Sequence, residues 1–189
     1  KAAEARLLQA QDSKSYVGLL GDLGFVSAIG ALVLADRVPA ERLVGAQTPG
    51  GTGAVHQLFL LIKTANPNAT VWLSDPTWPN HPAILNHVSL AHKSYRYFDG
   101  QSGGVDFEGM LADLAAIAPG DVILLHGCCH NPTGANLSLD QWAAMTELLL
   151  AKGAVPMIDF AYQGFGDGVD ADAEGVRRMA EAVPEMLIA

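Results

Sequence analysis

Short, continuously apolar runs alternate along the chain with longer segments in which apolar residues recur at helical spacing. The runs at 71–73, 122–125 and 155–158 have the length and composition of strands buried on both faces. Strands that alternate with helices predict an α/β fold with a mostly parallel sheet and helices on both faces. Further strands are predicted at 42–46, 94–98 and 186–188, and helices at 2–11, 25–35, 54–65, 82–87, 107–118, 139–152 and 171–182.

The longest motif of the chain follows the strand predicted at 122–125. It reads His126-Gly-Cys-Cys-His-Asn-Pro-Thr-Gly134 and contains a chain-breaking Asn131-Pro132 bond. Such a bond can be cis at modest cost, and a cis bond in a folded protein usually fixes a tight turn. Because open α/β sheets bind ligands at the carboxyl ends of their strands, we expect this turn to lie at a ligand site.

Composition narrows the classes of function. The 189 residues are 50% hydrophobic, which is enough for one substantial domain with a buried core. The formal net charge of -9 argues against binding to nucleic acid or to an anionic membrane surface. No apolar run reaches the length of a transmembrane helix. The two cysteines, Cys128 and Cys129, are adjacent, which fits the reducing cytoplasm.

Both ends of the sequence indicate a longer protein. Lys1 begins within a helical pattern, and the apolar residues 186–188 begin a strand at the other end. We therefore expect the sequence to be a truncated part of a larger polypeptide.

A glycine-rich segment, Gly50-Gly51-Thr52-Gly53, directly precedes the helix predicted at 54–65. Free backbone N–H groups at the start of a helix bind anions, and the Thr52 hydroxyl can add a bond to phosphate. The segment lacks the lysine of a nucleotide-binding P-loop, which favours a single phosphate group over a nucleoside triphosphate. An ordinary glycine-rich turn is the alternative interpretation.

Four further side chains each have a binding and a purely structural interpretation. Trp78 lies in a proline-rich loop, where it either stacks on a flat heteroaromatic ring or packs in the core. Asp159 ends a buried strand, where it either pairs with a cationic ring nitrogen or caps the next turn. Tyr162 supplies either a phenol at the same edge or a packed aromatic ring. His81 either hydrogen-bonds a buried carboxylate or lies at the surface.

A metal site is an alternative interpretation of the cluster formed by His126, Cys128, Cys129 and His130. Neighbouring cysteines at the end of a strand point in opposite directions, and no second Cys-x-x-Cys or histidine pair completes a set of ligands. Both thiols are therefore predicted to be small core side chains, and no metal is expected.

Four strings of the chain belong together: Thr48-Pro-Gly-Gly-Thr-Gly53, Asp75-Pro-Thr-Trp-Pro-Asn-His81, His126-Gly-Cys-Cys-His-Asn-Pro-Thr-Gly134 and Asp159-Phe-Ala-Tyr-Gln-Gly-Phe165. In this order they resemble the class I aminotransferases of fold type I, which use pyridoxal phosphate (PLP). Within that family they resemble the aspartate and aromatic-amino-acid aminotransferase group. The resemblance extends from about Tyr16 to the end of the sequence. It implies the large, PLP-binding domain of that fold.

The resemblance implies a role for each matching residue. Gly51 and Thr52 bind the cofactor phosphate, and Trp78 stacks on the pyridine ring and contacts the substrate. Asn131 and Tyr162 donate hydrogen bonds to the phenolic oxygen of the ring. Asn131 is also implied to contact the substrate side, where it helps to hold the arginine that binds the α-carboxylate.

The resemblance also implies that Asp159 pairs with the protonated ring nitrogen, with His81 and His126 behind it. Asp159 and Tyr162 are the implied catalytic residues within the sequence. Tyr16 corresponds to the tyrosine that reaches the phosphate of the neighbouring subunit in the family's homodimer. The family's cis prolines correspond to Pro76 and Pro132.

The implied activity is transfer of an amino group from an L-amino acid, aspartate or aromatic, to 2-oxoglutarate through a PLP Schiff base. The resemblance further implies that residues 1–45 lead into the large domain, that residues 46–189 form its PLP-binding part without the C-terminal end, and that the small domain is absent from this sequence. The family's Schiff-base lysine follows a strand like 186–188, so we expect it beyond Ala189.

Two alternatives stay open at this point. One is a non-catalytic domain that binds a phosphate compound or mediates assembly. The other is a PLP-dependent lyase or decarboxylase, because such enzymes share the cofactor-binding parts of the fold. For the aminotransferase, the implied partners are amino acid and 2-oxo acid substrates and a second copy of the chain, with active sites at the subunit interface.

Overall fold

The fold is described here from a computed structural model, which covers residues 1–11 and 13–189. Asp12, the first residue of a polar segment that leads to Tyr16, lies outside the described residues. The strands are β1 (Thr70–Asp75), β2 (Ala91–Arg96), β3 (Phe98–Asp99), β4 (Gly104–Val105), β5 (Val122–His126), β6 (Val155–Asp159) and β7 (Leu187–Ile188). The α-helices are α1 (Ala2–Ala10), α2 (Leu23–Leu34), α3 (Gly50–Ala65), α4 (Asn80–Val88), α5 (Phe107–Leu114), α6 (Leu139–Lys152) and α7 (Glu174–Ala182).

Five strands form one sheet in the order β2-β1-β5-β6-β7, and each neighbouring pair is parallel. Strands β3 and β4 form a separate antiparallel pair. The predicted mostly parallel sheet is therefore confirmed. Because its strands run in one direction, their carboxyl ends all lie at the same edge.

Helices cover both faces of the sheet, as predicted. Alternate strand residues face opposite sides, so Leu73 and Leu124 pack with apolar residues of α3 and α4. Trp72 and Ile123 pack on the other face with apolar residues of α5, α6 and α7. Burying a side chain such as Leu124 or Ile123 contributes about 1.5–3 kcal/mol.

The helix boundaries follow recognisable capping signals. Ser138 and Gln141 form the predicted capping box at the start of α6, with the Gln141 N–H donating to Ser138 Oγ at 3.2 Å. Asp106 caps α5 by accepting from the Gly109 N–H at 2.9 Å. Helix α5 ends at Leu114 instead of residue 118, because the next backbone bonds span three residues and tighten the chain before Pro119.

The strand predicted at 42–46 is wrong. Residues Ala40–Arg42 form a 3₁₀ turn, and the residues after them pair with no strand among the described residues. Val44 is largely exposed, and the Arg42 guanidinium donates instead to the carbonyl oxygen of Val183 at 3.0 Å. An apolar composition was present there, but no neighbouring strand was available to form a ladder.

Other predicted elements differ from the structure at their ends. The strand predicted at 94–98 begins earlier, as β2, and Phe98 belongs to the short β3. The last helix, predicted from 171, begins at Glu174 because residues 163–173 form hydrogen-bonded turns.

The N-terminal helices pack little against the sheet. Within the described residues, α1 has no buried residue, and α2 buries only Val33 and Leu34. Phe25, Ile29 and Leu32 of α2 are 46%, 42% and 46% exposed. No helix in residues 1–11 and 13–189 combines the length and apolar character needed to cross a membrane.

Candidate active site

Three neighbouring strands bring their following residues to the carboxyl edge of the sheet. Strand β1 leads to the loop with Trp78, β5 leads to the turn with Asn131, and β6 ends at Asp159. His126 and Asp159 are direct partners in the ladder between β5 and β6. Both predicted cis bonds, before Pro76 and Pro132, are present in these loops.

One cavity lies at this edge, and most of the predicted site residues line it. Gly51, in the first turn of α3, forms part of the cavity wall. The complete lining consists of Gly51, Trp78, His126, Cys128, Asn131, Asp159, Ala161 and Tyr162. The structure therefore brings together residues that are far apart in the sequence and that the motifs predicted to act together.

The N-terminus of α3 has the properties of an anion-binding site. Helix α3 has 16 residues, and no described side chain accepts a hydrogen bond from its first turn. A Cβ built on Gly51 would meet no atom within 4 Å, so there is open space beside the backbone. Unpaired N–H groups and the helix dipole favour an anionic group at such a position.

Asp159 is held by His81. The His81 Nε2 lies 2.9 Å from Asp159 Oδ2, and His81 itself is fully buried. The Asp159 side chain is 15% exposed, and no described residue donates a hydrogen bond to its Oδ1. One carboxylate oxygen is therefore fixed by the protein, while the other is available at the cavity.

A chain of hydrogen bonds behind Asp159 fixes the direction of the His81 bond. The Asn131 N–H donates to His126 Nδ1 at 3.2 Å, and burial lowers the pKa of His126 to about 2. Because the His126 ring is neutral, its proton lies on Nε2, which is 3.3 Å from Thr77 Oγ1. The Thr77 hydroxyl can then donate to His81 Nδ1 at 2.8 Å, which leaves His81 Nε2–H to donate to Asp159.

The His126 ring is itself held by stacking. Its centroid is 4.2 Å from that of His130, which stacks in turn on Tyr97 at 4.0 Å. His130 Nε2 is 2.9 Å from Ser74 Oγ, and His130 Nδ1 is 2.8 Å from Thr133 Oγ1. Burial lowers the pKa of His130 to about 4, so two neutral imidazoles pack together without charge repulsion.

Trp78 lies beside the same histidine group. Its ring meets His81 edge to face, with centroids 5.2 Å apart and an angle of 87° between the planes. This contact orients the indole at the cavity. Tyr162 is 41% exposed, and its phenol forms no hydrogen bond with a described residue.

The whole chain, residues 1–189, matches the family described as "Aminotransferase class I and II". The chain belongs to the class I and II aminotransferases. The family and fold implied by the four sequence strings are therefore confirmed.

Similar proteins include both aromatic and aspartate aminotransferases. The aromatic-amino-acid aminotransferase of Paracoccus denitrificans is 54% identical over 188 residues, a match that covers 100% of this chain and 48% of that protein. The aspartate aminotransferase of Salmonella typhi is 40% identical over 192 residues, covering 100% of this chain and 48% of that protein. The chain thus spans about half the length of these relatives.

Solved structures agree with this fold. One is an aromatic amino acid aminotransferase with 3-indolebutyric acid, with a TM-score of 0.97 and 54% identity over 100% of this chain and 48% of that chain. Another is the aromatic-amino-acid aminotransferase of Burkholderia pseudomallei covalently bound to pyridoxal phosphate. Its TM-score is 0.94 at 39% identity, and the match covers 99% of this chain and 47% of that chain.

Some predicted site residues of this aminotransferase chain lie outside the cavity lining. Thr52 follows Gly51 in the first turn of α3 and is exposed. Tyr16 is fully exposed and contacts none of the lining residues by a hydrogen bond. His81 is also outside the lining and contacts Asp159 directly, whereas His126 lines the cavity and reaches that carboxylate through Thr77 and His81.

Sequence reasoning missed two residues at the site. Thr77 joins the two histidines, and its position directly after the cis Pro76 was the available signal. Cys128 is buried as predicted but also lines the cavity. Within the residues that the structure describes, no group of three or more His, Cys, Asp or Glu side chains is arranged to hold a metal ion.

Proposed function

We propose that the full-length protein containing this chain is a PLP-dependent aminotransferase. The observation that carries the proposal is a single cavity that combines an uncapped helix N-terminus, an indole, an amide, a phenol and a carboxylate backed by histidine. The helix N-terminus matches the phosphate of PLP, and the indole matches its flat ring. The amide and the phenol match the ring oxygen, and the carboxylate matches the ring nitrogen. A relative of known structure carries covalently bound pyridoxal phosphate.

The free oxygen of Asp159 supports the fit of PLP to this chain. A carboxylate at the end of a buried strand is costly without a partner, and His81 satisfies only one of its two oxygens. A protonated ring nitrogen is a suitable partner for the other. The open space beside Gly51 similarly accommodates a phosphate at the start of α3.

Each site residue of this chain then has a defined role. When bound, PLP supplies an electron-accepting ring that stabilises the charge left when the Cα–H bond of the amino acid breaks. Asp159 holds the proton on the ring nitrogen, and the hydrogen bond from His81 keeps the carboxylate oriented. Asn131 and Tyr162 donate to the ring oxygen. Trp78 covers the ring and borders the substrate.

The proposed reaction moves an amino group from L-aspartate or an aromatic L-amino acid to 2-oxoglutarate. Support comes from relatives named for both substrate classes. The side chains that line the cavity include no lysine. We propose that the lysine that carries PLP lies beyond Ala189.

Borohydride reduction of the full-length protein tests this proposal. Reduction should fix PLP to a lysine outside residues 1–189, which mass spectrometry of peptides can locate, and should abolish the visible absorbance band. The unreduced protein should convert aspartate or an aromatic amino acid, with 2-oxoglutarate, to the 2-oxo acid and glutamate. Absence of any cofactor band together with absence of amino transfer would exclude the aminotransferase in favour of a binding or assembly domain.

Release of carbon dioxide or of an eliminated group from the same substrates, without glutamate formation, would instead favour a decarboxylase or lyase. Product analysis by chromatography separates these outcomes from transamination. A cytoplasmic location, which we also propose, can be checked by fractionating the producing cells.

We further propose that the full-length protein is a homodimer in which Tyr16 reaches the phosphate of the neighbouring active site. Tyr16 is fully exposed, and α2 nearby presents the exposed apolar residues Phe25, Ile29 and Leu32. Such a surface is typical of a protein interface.

Mixed dimers can test the role of Tyr16. A Tyr16→Phe subunit paired with an Asp159→Ala subunit would contain one site with both native residues, provided that Tyr16 acts across the interface. Such dimers should recover roughly the activity of one native site, well above either parent dimer. If Tyr16 acted within its own subunit, no site would contain both residues and activity would not recover.

A further inference from the structure

The carboxylate of Asp172 closes the segment that carries Tyr162 into a loop, residues 162–172. Its Oδ2 accepts hydrogen bonds from the Gly164 N–H at 2.8 Å and the Gly166 N–H at 3.0 Å. Its Oδ1 accepts one from the Asp167 N–H at 2.7 Å. One side chain therefore fixes three backbone groups of the loop.

Backbone bonds and glycines complete this arrangement. The Phe165 N–H donates to the Tyr162 carbonyl oxygen at 3.0 Å, so Tyr162 begins the turn that Asp172 holds. A Cβ on Gly166 would lie 2.6 Å from Asp172 Oδ1. Only glycine at position 166 allows the carboxylate to approach this closely.

Asp172 is balanced by backbone dipoles instead of by a cation. Burial pushes its pKa up, but the N–H groups of Gly166, Asp167 and Gly164 outweigh burial and hold the pKa below its usual value. Asp172 forms no ion pair within residues 1–11 and 13–189. An amide of the same shape would present an NH₂ group toward backbone donors and would lose part of these bonds.

Asp172 also lies close to Cys128. Burial raises the pKa of the Cys128 thiol to about 12, and the neighbouring Cys129 and Asp172 add to the rise. Cys128 lines the same cavity as Tyr162. Asp172 is therefore close to one residue of the lining and holds the loop that carries another.

The position of Tyr162 depends on this loop. Its phenol forms no hydrogen bond with a described residue and is 41% exposed, so no side-chain contact of that kind holds it at the cavity. We propose that Asp172 is a positioning residue, which fixes the backbone of the 162–172 loop so that Tyr162 lies in place to donate its hydrogen bond to the bound cofactor. This inference rests on the proposed function, because the acceptor is the ring oxygen of PLP.

The test compares Asp172→Asn with Asp167→Asn in the full-length protein. Asp167 is exposed on the same loop, and its substitution removes the same charge while its own N–H still donates to Asp172. In the cofactor-free protein, Asp172→Asn should speed hydrogen exchange at Gly164, Gly166 and Asp167 by roughly tenfold or more, since a bond to a charged acceptor is lost. Asp167→Asn should leave exchange at Gly164 and Gly166 unchanged.

The PLP-loaded protein provides the functional test, in which the pH midpoint of the cofactor's absorbance band is measured. A donor to the ring oxygen stabilises its ionised form, so losing that donor should raise the pH midpoint of the cofactor's visible absorbance band. We expect Asp172→Asn to raise the midpoint by about one pH unit, the size expected for a weakened charge-assisted hydrogen bond. In a Tyr162→Phe background the same substitution should cause no further shift, because the donor is already gone.

A shift of equal size in both backgrounds would overturn the inference, and so would a midpoint for Asp172→Asn equal to that of Asp167→Asn. Should Asp172→Asn fail to fold, Gly166→Ala displaces the same carboxylate without changing charge and should give the same shift. Failure of the proposed function is distinguishable, because the unsubstituted protein would then show no cofactor band at all while the exchange comparison would still report on the loop.

Discussion

His81 Nε2 and Asp159 Oδ2 lie 2.9 Å apart, although 78 residues separate them in the sequence. The parallel sheet causes this proximity, because β1 and β6 both end at the carboxyl edge and β5 lies between them. His81 is placed by the loop and helix that follow β1, and Asp159 by the end of β6. The fold thus brings the ends of three strands together, and the residues at these ends hold the Asp159 carboxylate in one orientation.

The first prediction concerns Asp159. Asp159→Ala in the full-length protein should lower kcat/KM for transamination by about 10³-fold or more, as expected when a charge pair worth roughly 4 kcal/mol is removed. Steady-state kinetics with aspartate and an aromatic amino acid would measure the change. Asp167→Ala, which removes an exposed carboxylate from the nearby loop, should have little effect. Near-normal turnover of Asp159→Ala would contradict the proposed pairing with the ring nitrogen.

The second prediction concerns Thr77, which connects His126 to His81. Thr77→Val keeps the shape of the side chain but leaves two buried ring nitrogens without a partner, which costs about 1–3 kcal/mol. We expect kcat/KM to fall by roughly tenfold and the pH midpoint of the cofactor band to move, because Asp159 is less firmly oriented. Thr77→Ser keeps the hydroxyl and should behave like the native protein. Equal losses in both variants would show that the Thr77 hydroxyl does not set the orientation of Asp159.

The extent to which the sequence predicts this molecule differs between its parts. The runs at 71–73, 122–125 and 155–158 are buried in the centre of the sheet, where continuous hydrophobicity is informative, and all three strands are present. The run at 42–46 has a similar composition, but a strand also requires a neighbour, and local composition carries no information on that.

The candidate site likewise contains residues that the sequence predicts and residues that it does not. Trp78, Asn131 and Asp159 follow strand ends, so the parallel topology alone predicts that they meet. Thr77 and Asp172 act through partners whose positions depend on strand register and on loop shape. Their side chains are common surface types, and only the three-dimensional contacts distinguish them.

The third prediction concerns Gly51 at the start of α3. Gly51→Ala meets no atom within 4 Å and replaces glycine within a helix, so the cofactor-free protein should gain up to about 1 kcal/mol in stability. The added methyl group occupies the space proposed for phosphate, so the Kd for PLP should rise by roughly tenfold, or about 1.4 kcal/mol. Binding of pyridoxal, which lacks the phosphate, serves as the control and should be unchanged. Weaker binding of both compounds would place the phosphate elsewhere.

The fourth prediction concerns acid sensitivity. The folded-state pKa of His126 is about 2 and that of His130 about 4, both lowered mainly by burial from the usual value near 6.5. Below pH 6.5 the unfolded chain therefore binds more protons than the folded one, and stability falls as pH decreases. Each histidine should remove up to about 2 kcal/mol between pH 7 and pH 5. Urea unfolding of the cofactor-free protein at several pH values measures this loss.

Substitution of His130 separates this effect from general acid unfolding. Carboxylates with lowered pKa, such as Asp113 at about 2, lose their contribution only as pH falls through and below their unfolded values near 4. His130→Gln should lower stability at pH 7, because the contacts with Ser74 and Thr133 are lost. The further loss of stability between pH 7 and pH 5 should nevertheless be smaller by the contribution of one histidine, up to about 2 kcal/mol. His87→Gln, at an exposed position, should keep the native pH dependence. An unchanged slope in His130→Gln would show that the buried imidazole stack does not set the acid sensitivity of the fold.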